Sequence, residues 1–263
     1  MDLGLKNKRV IVTASSKGLG KATALQFAKE GAKVMISSRN EEELQVTLEE
    51  IKSNSGNQEV YYTICDMTKN SDIEQLFNEA KEKLGGIDIL VNNVGGPVAG
   101  GFAQVTDEDW GVAFEKNLLS YIRTIRLALP HMKQQNFGRI VNISSSSTKE
   151  VLDGLILSNT FRSGMVGLSK SIAREYAGNN ILINTVGPGR IQTDRVTELD
   201  QIAADKKEVS IEEVREGFKQ LIPIGRYGEP AEFANIIAFL CSEANTYMTG
   251  QSLVVDGGML KAL

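Results

Sequence analysis

A turn rich in small residues, set between two apolar segments near the N-terminus, constrains the fold of this chain more than any other feature. Residues 8–39 read as an apolar strand, this turn, an amphipathic helix and a second apolar strand, which together make one βαβ unit. Small residues at a strand-to-helix turn let main-chain N–H groups and the helix N-terminus approach a pyrophosphate. We therefore predict a nucleotide site in this turn. The turn consists of Thr13, Ala14, Ser15, Ser16, Lys17, Gly18, Leu19 and Gly20.

The end of the second strand indicates which dinucleotide the site takes. In Rossmann units that bind NAD, an acidic side chain about 20 residues past the glycines holds the ribose 2′-hydroxyl. This chain has Ser37, Ser38 and Arg39 in that region, so no carboxylate is expected to repel a 2′-phosphate. Arg39 offers a planar fork of donors suited to phosphate, and Lys17 adds a second positive charge. We predict NADP(H) rather than NAD(H); the alternative is that Arg39 is a solvated charge at a strand end.

Strands and helices alternate along the rest of the chain. Further apolar strands are predicted at 60–65, 87–91, 138–143, 181–186 and 252–255, and helices at 41–52, 73–84, 107–134, 158–177 and 231–241. This order indicates a single-domain Rossmann fold over 1–263, with a doubly wound parallel α/β sheet of about seven strands and helices on both faces. Ligands bind at the carboxyl ends of such strands. The charged, helical segment 195–222 is a candidate lid over a substrate pocket.

Composition and charge argue against several classes of function. The formal net charge is -4 with both signs spread along the chain, which gives no basic field for nucleic acid. No apolar run approaches the roughly 18 residues that a membrane span needs, and we expect a cytoplasmic protein. Cys65 and Cys241 lie far apart without a CxxC or Cys/His cluster. We therefore expect both to be buried packing residues, with neither a disulfide nor a metal site.

A set of motifs spread over nearly the whole chain carries a family resemblance. The motifs are the glycine loop, Asp66, the segment 92–95, Asn117, the strand 139–143 leading into Ser144 and Ser145, and the segments 187–189, 222–230 and 249–258. Together they resemble the short-chain dehydrogenase/reductase family, and most closely its 3-oxoacyl-carrier-protein reductases. The resemblance implies an oxidoreductase that uses NADP(H) on a small carbonyl or alcohol substrate. It also implies a homotetramer or homodimer.

The resemblance assigns the cofactor to particular residues. Residues 13–20 would hold the pyrophosphate. The remaining contacts would come from Asp66 and Met67 at the adenine, from Asn93, Val94 and Gly95 as a floor, and from Pro188, Gly189, Ile191 and Thr193 toward the nicotinamide. Ala14 stands where the family usually has glycine. Its methyl group is tolerable if the backbone there keeps a negative φ.

The essential tyrosine and lysine of that family have no counterpart in this chain. Matching residues 163–170 to the family places Ser158 at the tyrosine position and Arg162 at the lysine position. A phenol with a pKa of about 10, lowered by a neighbouring ammonium, can donate a proton near neutrality. A serine hydroxyl is a weaker and shorter donor. The guanidinium of Arg162 keeps its proton, but its planar fork could still bind the ribose hydroxyls of the cofactor. By the same resemblance, Asn117 would anchor a relay water and Ser145 would hydrogen-bond the substrate oxygen. These four residues are the candidate catalytic set.

Three interpretations remain open, and we favour the first. In the first, the protein is an active NADP(H) oxidoreductase whose substrate or an ordered water supplies the proton, with Arg162 positioning an anionic or carbonyl group. In the second, it binds NADP(H) without catalysis and works as a sensor or assembly partner. In the third, another side chain is the acid. Tyr121 lies one turn beyond Asn117, although a tyrosine on an apolar helix is more often core packing. His131, the only histidine, is interpreted as a surface or capping residue.

Overall fold

The structure, a computed structural model, describes residues 1–262. Within this range, seven parallel strands form one sheet in the order β3-β2-β1-β4-β5-β6-β7. The strands are β1 (Arg9–Val12), β2 (Lys33–Ser38), β3 (Val60–Ile64), β4 (Ile89–Asn92), β5 (Gly138–Ile143), β6 (Ile181–Pro188) and β7 (Ser252–Val255). The helices are α1 (Gly18–Lys29), α2 (Glu41–Ser55), α3 (Asn70–Leu84), α4 (Asp107–Phe114), α5 (Ser120–Gln134), α6 (Ile156–Tyr176), α7 (Asp194–Lys207), α8 (Ile211–Leu221) and α9 (Pro230–Leu240). The predicted doubly wound parallel sheet is confirmed.

Strand β1 lies inside the sheet between β2 and β4, where the strand order reverses. Val10 of β1 pairs with Val34 of β2 on one side and with Ile89 of β4 on the other. Connections on the two sides therefore leave in opposite directions and open a crevice at the carboxyl ends of β1 and β4. The fold places the glycine-rich turn at this crevice.

The strands contribute side chains to two apolar layers, one on each face of the sheet. Val10 packs in the layer that includes Phe27 of α1, whereas the next residue, Ile11, packs in the layer that includes Leu76 of α3 and Met165 of α6. Alternation along the strand sends neighbouring side chains to opposite faces. Each such fully buried side chain contributes on the order of 1.5–3 kcal/mol relative to exposure, so these layers stabilise the sheet from both sides.

The segment predicted as one helix over 107–134 contains an irregular turn. A capping box between Thr106 and Asp109 starts α4, and a π-helical turn over Glu115–Leu119 separates it from α5. A π-turn inserts one extra residue into a helix and is frequent at functional sites. Periodicity of apolar residues did not reveal it, because the helical direction continues on both sides of the turn.

Both cysteines are buried and free. Burial raises the pKa of the Cys65 thiol to about 12, and burial also raises the pKa of Cys241. Neither thiol is therefore a ready nucleophile near neutral pH. In the described part of the chain, no group of three or more His, Cys, Asp and Glu side chains is placed to hold a metal ion. No helix within residues 1–262 is long and apolar enough to cross a membrane.

The segment 195–222 forms most of α7 and α8. The buried carboxylate of Asp200 connects these two helices to the residues that follow β6. Asp200 of α7 accepts hydrogen bonds from Arg190 at 2.5 Å and from Tyr227 at 3.0 Å, and Arg215 Nε of α8 lies 3.6 Å away. The Arg190 guanidinium also stacks 3.5 Å from the ring centre of Phe218. One carboxylate thus connects both helices to the residues that follow β6.

We expect Asp200→Ala to destabilise α7 and α8 by about 3 kcal/mol, because it leaves Arg190 and Tyr227 without their buried acceptor. The measurement is hydrogen–deuterium exchange of the backbone amides in 194–221, compared with those of the central strands. Asp205→Ala, on the exposed side of the same helix, is the control and should change little. Unaltered protection of both helices in Asp200→Ala would show that this carboxylate does not hold them.

Candidate active site

The glycine-rich turn presents the N-terminus of α1 to the crevice. Lys17 precedes the helix in extended conformation, and in the described chain no side chain caps the first turn, which also lacks acidic residues. Gly18 has a φ of +58°, which glycine adopts at little cost. A Cβ on Gly20 would lie 2.5 Å from the carbonyl oxygen of Ala14. The turn is therefore tight, and its open amide groups suit an anion.

Ala14 adopts a left-handed conformation with a φ of +46°. The negative φ at which its methyl group would be tolerated without strain is therefore not present. This region costs an alanine on the order of 1 kcal/mol relative to ordinary backbone conformations. The carbonyl oxygen of Ala14 accepts a hydrogen bond from Asn93 Nδ2 at 2.9 Å, which helps to hold the strained residue in place.

Asn93 and Thr13 connect the turn to the end of β4. Thr13 Oγ1 donates to the Asn93 carbonyl oxygen at 2.7 Å and accepts from the Asn93 amide at 2.8 Å. Asn93 therefore holds the turn through two of its residues, Thr13 and Ala14. Val94 is buried beside it, and the Gly95 carbonyl oxygen accepts from Asn117 Nδ2 at 3.0 Å.

The end of β2 lies beside the turn, as its sequence position suggested. Ser16 Oγ is 3.1 Å from Ser38 Oγ, and Arg39 is exposed next to it. Ser16 Oγ also lies 3.0 Å from a carboxylate oxygen of Glu43, in the first turn of α2. Segment 37–39 itself has no carboxylate, as its sequence shows, but Glu43 brings one close to Ser16. Glu43 belongs to α2, whereas the acidic residue of NAD-binding Rossmann units is expected at the end of the second strand.

Asp66 and Met67 follow β3 at the same edge of the sheet. Burial alone would raise the pKa of the Asp66 carboxyl, but hydrogen bonds from Thr68 and the charges of Arg39 and Lys69 hold it below its usual value. Asp66 therefore stays ionised. Met67 is buried and packs in the apolar layer beneath.

The residues after β6 face the turn from the opposite side. Gly189 packs against Asp256 so closely that a Cβ would lie 2.4 Å from the aspartate Cβ, and Pro188 ends the strand beside it. Ile191 is buried. The Thr193 side chain caps the N-terminus of α7. Its Cγ2 lies 3.7 Å from the position that a Cβ on Gly18 would occupy. The start of α7 thus reaches the glycine-rich turn across the crevice.

Three serines follow one another in space near the start of α6. Ser145 Oγ accepts from the Ser147 amide at 3.1 Å, and Ser147 Oγ lies 3.3 Å from Ser158 Oγ. The Ser144 hydroxyl is buried and has no hydrogen-bond partner within residues 1–262. The link through Ser147 was missed in the sequence, because only the fold brings the β5 end next to residue 158.

Arg162 is buried and turned toward the end of β5. Its Nη1 donates to the Tyr121 hydroxyl at 3.1 Å and to the Ile143 carbonyl oxygen at 3.0 Å. Its Nε is buried without a partner among the described residues. The guanidinium is thus bound to the core through Nη1, whereas neither Nε nor Nη2 has a hydrogen-bond partner among the described residues.

Tyr121 is fully buried, and its hydroxyl donates to the Ile143 carbonyl oxygen at 2.8 Å. Burial raises the pKa of its phenol, although the Arg162 charge opposes that rise. A phenol in this state is a structural donor, so the third interpretation loses its candidate acid. His131 lies half-buried in the last turn of α5, where burial and the charges of Lys81 and Arg9 lower its pKa.

Asn117 lies in the π-helical turn and is fully buried. Its Nδ2 is bound to Gly95, whereas its Oδ1 has no hydrogen-bond partner in the part of the chain that the structure describes. Buried polar atoms are normally paired, and exceptions at a site call for a ligand or an ordered water. The orphaned atoms of Asn117, Ser144 and Arg162 all belong to elements that meet at this edge of the sheet.

Comparison with known proteins agrees with this geometry. A family model described as enoyl-(acyl carrier protein) reductase matches residues 13–260. The chain belongs to the short-chain dehydrogenase/reductase family. Over its whole length this short-chain dehydrogenase/reductase is 37% identical to all of an uncharacterized oxidoreductase, YvrD, of Bacillus subtilis. Over 98% of its length it is 35% identical to all of the 3-oxoacyl-[acyl-carrier-protein] reductase FabG of Aquifex aeolicus. The L-sorbose reductase of Gluconobacter frateurii, solved with NADPH and L-sorbose, superposes with a TM-score of 0.94 at 30% identity and full coverage of both chains.

We expect Gly20→Ala to destabilise this short-chain dehydrogenase/reductase by about 1–3 kcal/mol, because the new methyl group would collide with the Ala14 carbonyl oxygen and the Ser15 backbone. The measurement is the free energy of unfolding in urea. Gly217→Ala is the matched control: its Cβ meets open space within the described chain, and alanine is a better helix former than glycine. Equal stability of Gly20→Ala and wild type would mean that the turn is looser than described.

Proposed function

We propose that this chain is an NADP(H)-dependent oxidoreductase that interconverts a carbonyl and an alcohol at an atypical active site. Its catalytic residues are Asn117, Ser145, Ser158 and Arg162. The observation that carries the proposal is the meeting of an open helix N-terminus with buried, orphaned polar atoms at one edge of a parallel sheet.

The residues present fit NADP(H). The uncapped start of α1 suits the pyrophosphate, and Arg39 beside Ser38 suits a 2′-phosphate. Asp66 and Met67 lie where the adenine would reach the end of β3. Support from relatives comes from the L-sorbose reductase solved with NADPH.

The cofactor, when bound, supplies or accepts the hydride. In the proposed mechanism Ser145 Oγ, held by the Ser147 amide, orients the substrate oxygen. An ordered water on Asn117 Oδ1 supplies the proton, and the hydroxyls of Ser147 and Ser158 relay it to that oxygen, each taking up one proton as it gives one. Arg162 stabilises negative charge that develops on the oxygen, without itself releasing a proton.

This site is expected to be slow. A positioned general acid contributes about 10²–10⁴-fold to rate, and a serine hydroxyl is a far weaker acid than a phenol. Arg162 keeps a positive charge near the reacting oxygen, so the electrostatic contribution is retained. We therefore expect modest turnover rather than none.

The second candidate function is a silent homologue that binds NADP(H) as a sensor or assembly partner. One observation favours it: Arg162 Nη1 is occupied by Tyr121 and Ile143, which turns part of the guanidinium away from the crevice. Retained cofactor-binding residues are compatible with both functions, so turnover decides between them.

We also propose that the chain forms one domain in which 195–222 is a substrate lid, and that it works in the cytoplasm as a homotetramer or homodimer. Two free, buried cysteines suit a reducing compartment. Val112 and Phe114 are exposed apolar side chains on α4, and the Phe114 ring lies beside Phe161 of α6; they suit burial against a second copy.

We expect wild-type protein to bind NADPH more tightly than NADH, and Glu43→Gln to strengthen NADPH binding about fivefold, because it removes a carboxylate beside the 2′-phosphate position. Fluorescence titration with both dinucleotides measures this. Glu42→Gln, an exposed neighbour in the same helical turn, should leave both affinities unchanged. A wild-type preference for NADH would contradict the NADP(H) assignment.

We expect slow NADPH oxidation with at least one of β-ketoacyl thioesters, quinones or small ketones, and Arg162→Ala should lower its kcat by about 10²-fold. Arg174→Ala, an exposed arginine of the same helix, is the control. Ser158→Tyr combined with Arg162→Lys should raise the reduction of simple ketones, because it restores a phenol beside an ammonium. If the wild-type protein binds NADPH but oxidises it with none of these substrates, the result would support the non-catalytic function.

A further inference from the structure

The crevice contains a cation to which the proposed function gives no role. Lys116 lies in the π-helical turn directly before Asn117 and is half-buried. Its Nζ is 3.3 Å from the position that a Cβ on Gly95 would occupy, so the ammonium lies against the chain just past β4. Among residues 1–262 it forms no ion pair with a carboxylate.

The electrostatic surroundings of Lys116 are mostly positive. Burial lowers the pKa of its ammonium, and the charges of Arg39, Arg162 and Arg195 lower it further; only Asp66 opposes them. Such an arrangement destabilises the protein unless an anion joins it. A chain that keeps an ammonium here is therefore built to receive negative charge.

The position of Lys116 identifies which part of a dinucleotide it would meet. Gly95 lies two residues beyond Asn93, which binds the glycine-rich turn through Thr13 and Ala14. In the proposed site Arg39 serves the adenosine end of the dinucleotide and Arg162 the end where the reaction occurs. Lys116 lies against Gly95, in the segment that supports the glycine-rich turn, and in the proposed site this turn faces the pyrophosphate.

We propose that Lys116 binds the diphosphate bridge of the dinucleotide and supplies a charge-assisted contact opposite the N-terminus of α1. This inference rests on the proposed dinucleotide binding. The contact is common to NADP(H) and NAD(H), unlike that of Arg39, which serves the 2′-phosphate alone. It gives this chain a second cationic anchor for the diphosphate in addition to its helix N-terminus.

The test measures affinity, not turnover. NADPH and NADH are titrated into wild type, Lys116→Met, Arg39→Met and the control Lys133→Met, an exposed lysine in the last turn of α5. We expect Lys116→Met to weaken both dinucleotides by a similar factor, about tenfold, because a hydrogen bond to a charged group is lost. Arg39→Met should weaken NADPH only, and Lys133→Met neither.

Thermal unfolding of the unliganded proteins gives a second readout. Lys116→Met should be at least as stable as wild type, because it removes an ammonium from a positive environment, yet it should gain less stability from NADPH. Lys116→Gln, which keeps a polar side chain, serves if the methionine variant folds poorly, and the same loss of affinity is expected.

The outcomes separate the two proposals. If the wild-type protein bound neither dinucleotide, the proposed function itself would be contradicted. If wild type binds but Lys116→Met and Lys116→Gln bind both dinucleotides as tightly as Lys133→Met does, the role of Lys116 is overturned. Loss of NADPH affinity alone would also overturn it, because the contact would then be with the 2′-phosphate.

Discussion

The hydrogen bonds between Thr13 and Asn93 are the interaction on which the crevice depends. They join the ends of β1 and β4, the two strands between which the connections diverge. Without them the glycine-rich turn would have no fixed relation to the residues after β4. The same asparagine holds the Ala14 carbonyl oxygen, so one side chain both positions the turn and retains a strained residue in it. Strain of this size persists only where the surroundings over-determine the conformation.

Positive charge is distributed along the crevice at a cost to the unliganded fold. Arg39, Lys116 and Arg162 form no ion pair with carboxylates among the described residues, whereas Arg190 and Arg226 elsewhere are paired with Asp200 and Glu232. Paired cations hold helices in place, and the crevice cations remain available to a ligand. A site for a polyanion must keep its cations uncompensated until the ligand arrives, which makes part of the stability conditional on binding.

Sequence patterns could predict the strands, the sheet and the turn, because these depend on local periodicity and on small residues at a strand end. Other features depend on segments that meet only in the fold. Glu43 reaches Ser16 from the next helix, and Ser147 reaches Ser158 across 11 positions. The π-turn that carries Asn117 keeps the helical direction, so the spacing of apolar residues gives no sign of it. The left-handed φ of Ala14 follows from a tertiary hydrogen bond and not from alanine's own preference.

The relation between Tyr121 and Arg162 explains how a guanidinium can occupy a buried position beside the end of β5. A buried guanidinium needs acceptors for several fixed N–H groups, and two of them are met by the Tyr121 hydroxyl and the Ile143 carbonyl oxygen. Tyr121 in turn donates to the same carbonyl, so the phenol is both acceptor and donor in one closed arrangement. A lysine has no planar fork to use this arrangement. The phenol of this chain therefore stabilises the cation from the core, and in the proposed function it is not the group that gives a proton to the substrate.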